Sequence, residues 1–227
     1  MHGLQDSDFI MGSPQNKVPI KWSAEFAYAI GLLVTDGSLS KDGRHVSFTS
    51  RDKDLVETFQ QVLGIKLNIG KTGREKEKEK RYFRVQIGDV NFYRFLEDIG
   101  LMPNKTKIIN EIQIPDIYFF DFLRGHFDGD GSFYSYFDPR WKASYMYYSV
   151  FNSASAKHIQ WLQRKIEQMH SIKGHITKTK AHSCLSLKYA KRESDILLKN
   201  IYYQEDLPCL QRKRLKILQA LSIMPTH

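Results

Sequence analysis

The sequence predicts an α+β protein made of duplicated αββαββα halves, related by a pseudo-twofold axis and carrying two antiparallel sheets. Three observations predict it. First, "FAYAIGLLVTDGSL" (26–39) aligns without a gap over "FDFLRGHFDGDGSF" (120–133) at an offset of 94 residues, with five of fourteen positions identical. Second, similar patterns follow each copy. "RHVSFTSRDKDLVETFQQVLGI" and "YYSVFNSASAKHIQWLQRKI" both read as a strand, a Ser/Thr/Asn corner and an amphipathic helix. Third, "LNIGKTGREKEKEKRYFRVQIG" and "IKGHITKTKAHSCLSLKYAK" both read as two strands joined by a polar turn.

The elements follow in order. Residues 1–21 lack strong periodicity, carry Pro14 and Pro19, and are expected to form a tail or an arm across the surface. The first half is expected over 22–100, with Ser23 capping its first helix and "VNFYRFLEDIGL" closing it. Residues 101–116, with two prolines and no clean period, read as a linker. The second half, 117–227, opens with Asp116 as the expected cap and closes with "ESDILLKNIYY" and "LQRKRLKILQALS".

Composition narrows the classes. A 41% hydrophobic, 13% aromatic chain of 227 residues buries a real core and is not a disordered polymer. Thirty-four basic against 25 acidic residues give a net charge of +9, which suits a polyanion partner, although a soluble basic protein without one has the same balance. Cys184 and Cys209 make neither a disulfide framework nor a zinc site, and are expected to be isolated thiols. The N-terminus has no secretory pattern, and "FAYAIGLLV" is too short to span a bilayer. The expectation is an intracellular protein, in the cytoplasm or an organelle, with no membrane partner.

The Asp-Gly-Ser that ends each repeated helix raises a charge problem, because a carboxylate at a helix C-terminus meets the negative end of the dipole. A calcium loop does not explain it. Counted from Asp128, the sixth position is Phe133 where glycine is needed, and the twelfth is Pro139 where glutamate is needed. A plain helix cap is the simpler alternative, with Gly37 and Gly131 left-handed and the aspartates solvated. Two copies argue further. Each helix is apolar nearly all round and should be buried. Gly31 and Gly125 would let two backbones approach closely. Asp36 and Asp130 would then meet at the helix ends and repel, and a divalent cation between them would remove the repulsion. Metal-assisted phosphodiester cleavage needs such an arrangement.

The helices "AIGLLVTDG" (29–37) and "LRGHFDGDG" (123–131) resemble the paired motifs of the LAGLIDADG homing endonucleases, and the duplicated halves are similar to the single-chain members of that family. The resemblance covers about residues 22–220. It implies a fold in which the two sheets form a DNA-binding saddle. It further implies a monomeric, sequence-specific endonuclease that makes Mg²⁺-dependent double-strand cuts in a long, near-palindromic site, leaving four-nucleotide 3′ overhangs. Other divalent cations would substitute for Mg²⁺. By resemblance Asp36 and Asp130 are the metal-binding catalytic acids, with Thr35 and Gly129 completing the expected metal set. The family places a lysine near the active site late in each half. "MPNKT" and "LQRKR" are the matching places, giving Lys105 and Lys213. The sixth motif position is Val34 in one copy and Asp128 in the other, so it is not required for catalysis. Arg124 and His126 are more polar than the usual motif helix, and are expected at the end of the helix interface or in cross-helix hydrogen bonds.

Strand alternation selects the side chains that would face DNA. They are His45, Ser47 and Thr49 in "RHVSFTS", and Tyr82, Arg84 and Gln86 in "RYFRVQIG". In the second half they are Ser144, Met146 and Tyr148, with Ser186 and Lys188 in "CLSLKYA". Asn152 corresponds to Thr49. These sets suit base-edge readout, although any solvated antiparallel sheet alternates in this way. "REKEKEKR" (74–81) is mixed in sign and reads as a solvated hairpin tip, with Lys71 and Arg74 beside phosphates. "YAKRE" and "LQRKRLK" are stronger phosphate-contact candidates. Two alternatives remain open: an RNA-binding intron maturase, with intron RNA as partner, and a non-cleaving DNA-binding protein on the same fold.

Overall fold

The computed structural model describes residues 16–73, 81–178 and 184–223, and over them one order of elements occurs twice. The first half runs α1 (Ala24–Asp36), β1 (Gly37–Leu39), β2 (His45–Ser50), α2 (Lys53–Val62), β3 (Gly70–Thr72), β4 (Tyr82–Gly88) and α3 (Val90–Asp98). The second runs α4 (Phe119–Asp130), β5 (Ser132–Phe137), β6 (Tyr145–Ser153), α5 (Ala156–His170), β7 (His175–Lys178), β8 (Leu185–Ala190) and α6 (Lys191–Ile201), and adds α7 (Gln211–Ser222). Each half contributes one four-stranded antiparallel sheet, ordered β1-β2-β4-β3 and β5-β6-β8-β7.

The strand registers superimpose as well. In the first sheet His45, Ser47 and Thr49 lie opposite Gly88, Gln86 and Arg84. In the second, Tyr148, Val150 and Asn152 lie opposite Ala190, Lys188 and Ser186. Thr49 and Asn152 therefore occupy equivalent places. Ser144 falls just outside β6. Its N–H donates to the Trp141 carbonyl in the β5–β6 connection, because the strand hydrogen bonds begin one residue later, at Tyr145.

α1 and α4 pack against each other at the centre of the molecule, and both are buried almost throughout. Glycine makes the approach possible. A Cβ on Gly31 would lie 2.1 Å from the Phe122 carbonyl oxygen, and a Cβ on Gly125 would lie 2.1 Å from that of Tyr28. Gly31 pairs with Gly125, and Tyr28 with Phe122, at the same 94-residue offset as the repeat. The two contacts are therefore one contact seen twice across the pseudo-twofold axis. Leu32, Leu33, Phe122 and Phe127 extend the seam without exposed surface.

Ser23 caps α1, its hydroxyl accepting the Phe26 N–H at 3.1 Å. Asp116 does not cap α4. It opens a single 3-10 turn over Asp116–Tyr118, α4 begins after it, and the Asp116 carboxylate pairs with Lys165 at 2.6 Å instead. Neither Gly37 nor Gly131 is left-handed. Their φ/ψ values of −84/155° and −71/156° carry the chain straight from each helix into a strand. Glycine is required there for space, since a Cβ would lie 2.4 Å from the Leu33 carbonyl oxygen or 2.5 Å from that of Phe127.

The connecting stretch is packed in place. Ile109 and Ile112 are buried, and the Ile109 carbonyl accepts the Ser155 hydroxyl at 2.5 Å. The chain before α1 is tied down through Asp89, whose carboxylate accepts the N–H groups of Lys17 and Val18. Residues 74–80 of the mixed-charge run lie outside the described residues. Among those that are described, both cysteines are free, and no helix is long and apolar enough to cross a membrane.

Gly31→Ala and Gly125→Ala are each expected to destabilise the fold by about 3 kcal/mol or more, the upper end for overpacking, because the clash is with rigid helix backbone. Urea unfolding of the two variants checks this, and they should be affected alike.

Candidate metal and nucleic-acid site

The packing of α1 on α4 brings Asp36 and Asp130 together at adjacent helix C-termini. The approach is close enough that a Cβ on Gly129 would lie 1.9 Å from Thr35 Oγ1 and 3.0 Å from Asp36 Oδ2. Burial and then the Asp130 charge push Asp36 up to about 7. Burial raises Asp130 too, although it keeps more solvent contact than Asp36. Strongly interacting carboxylates titrate as a pair, and this pair holds a proton more tightly than free aspartates do.

Two lysines, Lys105 buried and Lys213 half-buried, answer the charge at the helix ends. The Lys105 ammonium, on a 3-10 turn after α3, donates to the Gly37 carbonyl at 2.5 Å. The Lys213 ammonium, on α7, donates to the carbonyls of Phe127, Asp128, Gly129 and Gly131 at 2.7, 2.7, 3.2 and 2.6 Å. Each lysine thus closes the C-terminus of one motif helix, where a cation is favoured by the dipole. Burial lowers both to about 8, against the pull of Asp36 and Asp130. Arg212 ties α7 to the first half by a two-pronged ion pair with Asp52, at 2.8 Å for each prong.

These groups suit a hard divalent cation. Two crowded carboxylates gain from one, and carboxylate oxygens are its preferred donors. Among the described residues no group of three or more His, Cys, Asp or Glu gathers in one place. Carboxylates from two helices, completed by water and phosphate oxygens, is the pattern Mg²⁺ takes at phosphate-handling sites. The Thr35 hydroxyl lies 2.9 Å from the Leu32 carbonyl and is also within hydrogen-bonding reach of the Asp36 carboxylate, which it helps to keep ionised. The Gly129 carbonyl is shared with Lys213.

The two sheets differ in their polar faces. On the first, Arg84 donates to the Ser47 hydroxyl at 2.7 Å and to Gln86 at 3.2 Å, Thr49 faces Arg84, and the Tyr82 hydroxyl accepts from Arg51. The His45 ring is held by Asp42 at 2.5 Å. On the second, Asn152 Nδ2 donates to the Asp130 carbonyl and its Oδ1 accepts the Ser186 hydroxyl, both at 2.8 Å. Lys188 lies one register step from Ser186. Met146 and Tyr148 lie opposite Tyr136 and Tyr134.

Sequence reasoning missed a histidine pair beside the acids. His126 and His158 stack with their Nε2 atoms 3.1 Å apart, and they line a small cleft with Lys105, Asp130 and Asn152. His158 Nδ1 faces the Asn110 carbonyl at 2.6 Å and must donate to it, so its Nε2 accepts the proton of His126. Burial holds both neutral, lowering His158 to about 4. Their sequence separation of 32 residues gave no local signal. Arg124 and Asp128 prove structural. Arg124 is fully buried, pairs with Asp121 at 2.9 Å, and donates to the carbonyls of Pro208 and Ile201. Asp128 accepts from the hydroxyls of Tyr28 and Tyr202 and from the Leu210 N–H.

Comparison with known proteins agrees with the geometry. Residues 23–100 match the family model of a LAGLIDADG-like domain, and residues 119–216 match that of the WhiA LAGLIDADG-like domain. The chain belongs to the LAGLIDADG family, as a member that carries both motifs. Its fold is similar to that of the I-SmaMI meganuclease bound to uncleavable DNA, with a TM-score of 0.60, 15% identity and coverage of 89% of this chain and 90% of the other. It is similar to the I-LtrWI LAGLIDADG homing endonuclease bound to target DNA, with a TM-score of 0.59, 11% identity and coverage of 88% and 90%. It is also similar to the N-terminal LAGLIDADG domain of DUF199/WhiA, with a TM-score of 0.52, 18% identity and coverage of 82% and 85%. A search of curated proteins finds no match.

An Asp36 held near 7, against about 3.9 in an unfolded chain, binds its proton more tightly when folded, so its contribution to stability falls as pH rises from about 4 to 7. Asp36→Asn removes that loss. Without metal at pH 7.5 the variant is expected to melt above the wild type by roughly 2–4 °C, equivalent to about 1 kcal/mol in a chain of this size. The gap should close toward pH 4. Mg²⁺ should raise the melting temperature of the wild type only. Thermal melts from pH 4 to 8, with and without Mg²⁺, check all three.

Proposed function

We propose that this protein is a sequence-specific, metal-dependent DNA endonuclease that cuts both strands of a long, imperfectly palindromic site. The observation that carries the reading is the meeting of Asp36 and Asp130 at two helix ends, each end closed by a lysine. A solvated helix cap gains nothing from that arrangement, whereas metal-assisted phosphodiester hydrolysis can use it.

On this reading Asp36 and Asp130 hold Mg²⁺, with other divalent cations as substitutes. A related meganuclease, I-SmaMI, has been crystallised on its uncleaved DNA target in the presence of calcium ions. The bound cation would supply an activated water and charge stabilisation at the leaving oxygen. Lys105 and Lys213 pull both carboxylates back toward the ionised form and would place positive charge beside the scissile phosphates. Asn152 orients the Asp130 backbone, with Ser186 fixing Asn152 in turn. The two sheets would lie as a saddle over the duplex, where His45, Ser47, Thr49, Arg84 and Gln86 read one half-site. Two motifs in one chain make a monomer sufficient, and four-nucleotide 3′ overhangs are the expected product. The match of residues 119–216 to a WhiA-type domain favours one second reading, a DNA-binding protein of the same fold that does not cut.

Incubation with Mg²⁺ and a pooled duplex library, followed by sequencing of the ends, tests the reading. Site-specific double-strand ends are expected, with cleavage falling at least a hundredfold in Asp36→Asn and in Asp130→Asn. Specific binding without cutting, unchanged in both variants, would establish the second reading instead.

A further inference from the structure

The two sheets present unlike chemistry to whatever crosses them. At the place where the first sheet carries His45, the second carries Tyr148, and this tyrosine belongs to a cluster. Tyr134, Tyr136 and Tyr148 stand on one face of β5 and β6 with ring planes within 5–16° of parallel and centroids 5.2–6.5 Å apart. Tyr134 and Tyr136 are 37% and 41% exposed, well above what a packed aromatic shows. Met146 lies on the same face, opposite Tyr136. Lys188, His175, Ser186 and Thr177 pair across β7 and β8 on that face. Asp138, just past the end of β5, puts its charge beside Tyr148 and is itself paired with Arg140.

This face is continuous with the acidic pair. Along β6 the same side carries Tyr148, Val150 and Asn152, and Asn152 touches the Asp130 backbone. A polymer whose backbone reaches Asp36 and Asp130 and follows β6 must cross the tyrosines. The three rings lie nearly parallel and side by side, so together they offer one broad apolar patch beside the path to the acidic pair. Such a patch suits apolar contact with groups that project from the groove of a duplex. In the major groove the apolar projecting group is the thymine methyl.

Resting on the endonuclease reading above, we infer that Tyr134, Tyr136 and Tyr148 determine specificity in the second half-site by packing against thymine methyl groups of duplex DNA, while the first half-site is read through hydrogen bonds. The position follows from geometry. Tyr148 is four residues from Asn152, about 13 Å along a strand. At about 3.4 Å per base step that is roughly four base pairs from the cut. Tyr136, opposite Met146, extends the reach to about six.

The test uses the full chain and the duplex recovered by the cleavage selection. Each thymine is replaced in turn by deoxyuridine, which removes only the methyl, and binding is measured. Loss of affinity of about fourfold per methyl, the value of one buried carbon, is expected at thymines four to six base pairs out in the half-site contacted by the second sheet. Deoxyuridine in the other half-site should have no effect. Tyr134→Ser and Tyr136→Ser, both at exposed positions that a folded chain tolerates, should abolish the sensitivity, each variant binding the thymine and the deoxyuridine duplex with equal affinity. A cleaved site with no thymine in that window, or with deoxyuridine tolerated there, would overturn this inference and leave the nuclease standing. So would a penalty that persists in the tyrosine variants, or a preference for single strands. Absence of any specific duplex binding would instead remove the reading on which the inference rests.

Discussion

Everything in this molecule depends on how closely α1 and α4 approach. Two glycines without side chains let each helix backbone rest on the other, and this contact fixes the pseudo-twofold axis. It also forces two aspartates to the same place. Helix ends with unsatisfied carbonyls repel carboxylates, so the close approach creates an electrostatic liability at the centre of the protein. Lys105 and Lys213 relieve it by capping those carbonyls. They come from opposite sides, one from the connection between the halves and one from the last helix. The site is therefore assembled from four separate stretches of chain, and it exists only when both halves have folded.

Much of this was legible in the sequence because duplication writes the same physics twice. One Gly-x₄-Asp-Gly-Ser helix end is ambiguous, whereas two at a fixed offset define a symmetric contact, and the strand order and register follow in both halves. What was not legible is instructive. The cap expected at Asp116 gave way to a 3-10 turn, since that residue's carboxylate found a lysine from α5. Gly37 and Gly131 looked like left-handed caps, but the chain leaves both helices extended, and the glycines serve space rather than φ. The histidine pair and the Asp128 network join residues 32 to 100 apart, and no local pattern encodes such partners. Alternation did mark one face of each strand, and it did not reveal that three tyrosines from two strands would stack together on one of them.

The two halves are alike in frame and unlike in detail. Lys105 makes a single carbonyl contact and borders an open cleft with Asp130 and the neutral histidines, whereas Lys213 is held by four carbonyls. The first sheet's face is laced by arginine and glutamine, and the second is aromatic. Equal backbones under unequal surfaces set one central site between two chemically different faces.

Arg124 and Asp128 make the two motif helices non-interchangeable. In the first motif their places are held by Ile30 and Val34. In the second they are buried charges read by chain that follows α6, through the carbonyls of Ile201 and Pro208 and the N–H of Leu210. A copy of the first half has neither the charges nor the segment that satisfies them. A reversion that joined two first halves would lose the whole network at once, and one that exchanged motif helices would bury charges without partners. The second motif helix is thus matched to its own half, and neither motif can take the other's place by a single substitution.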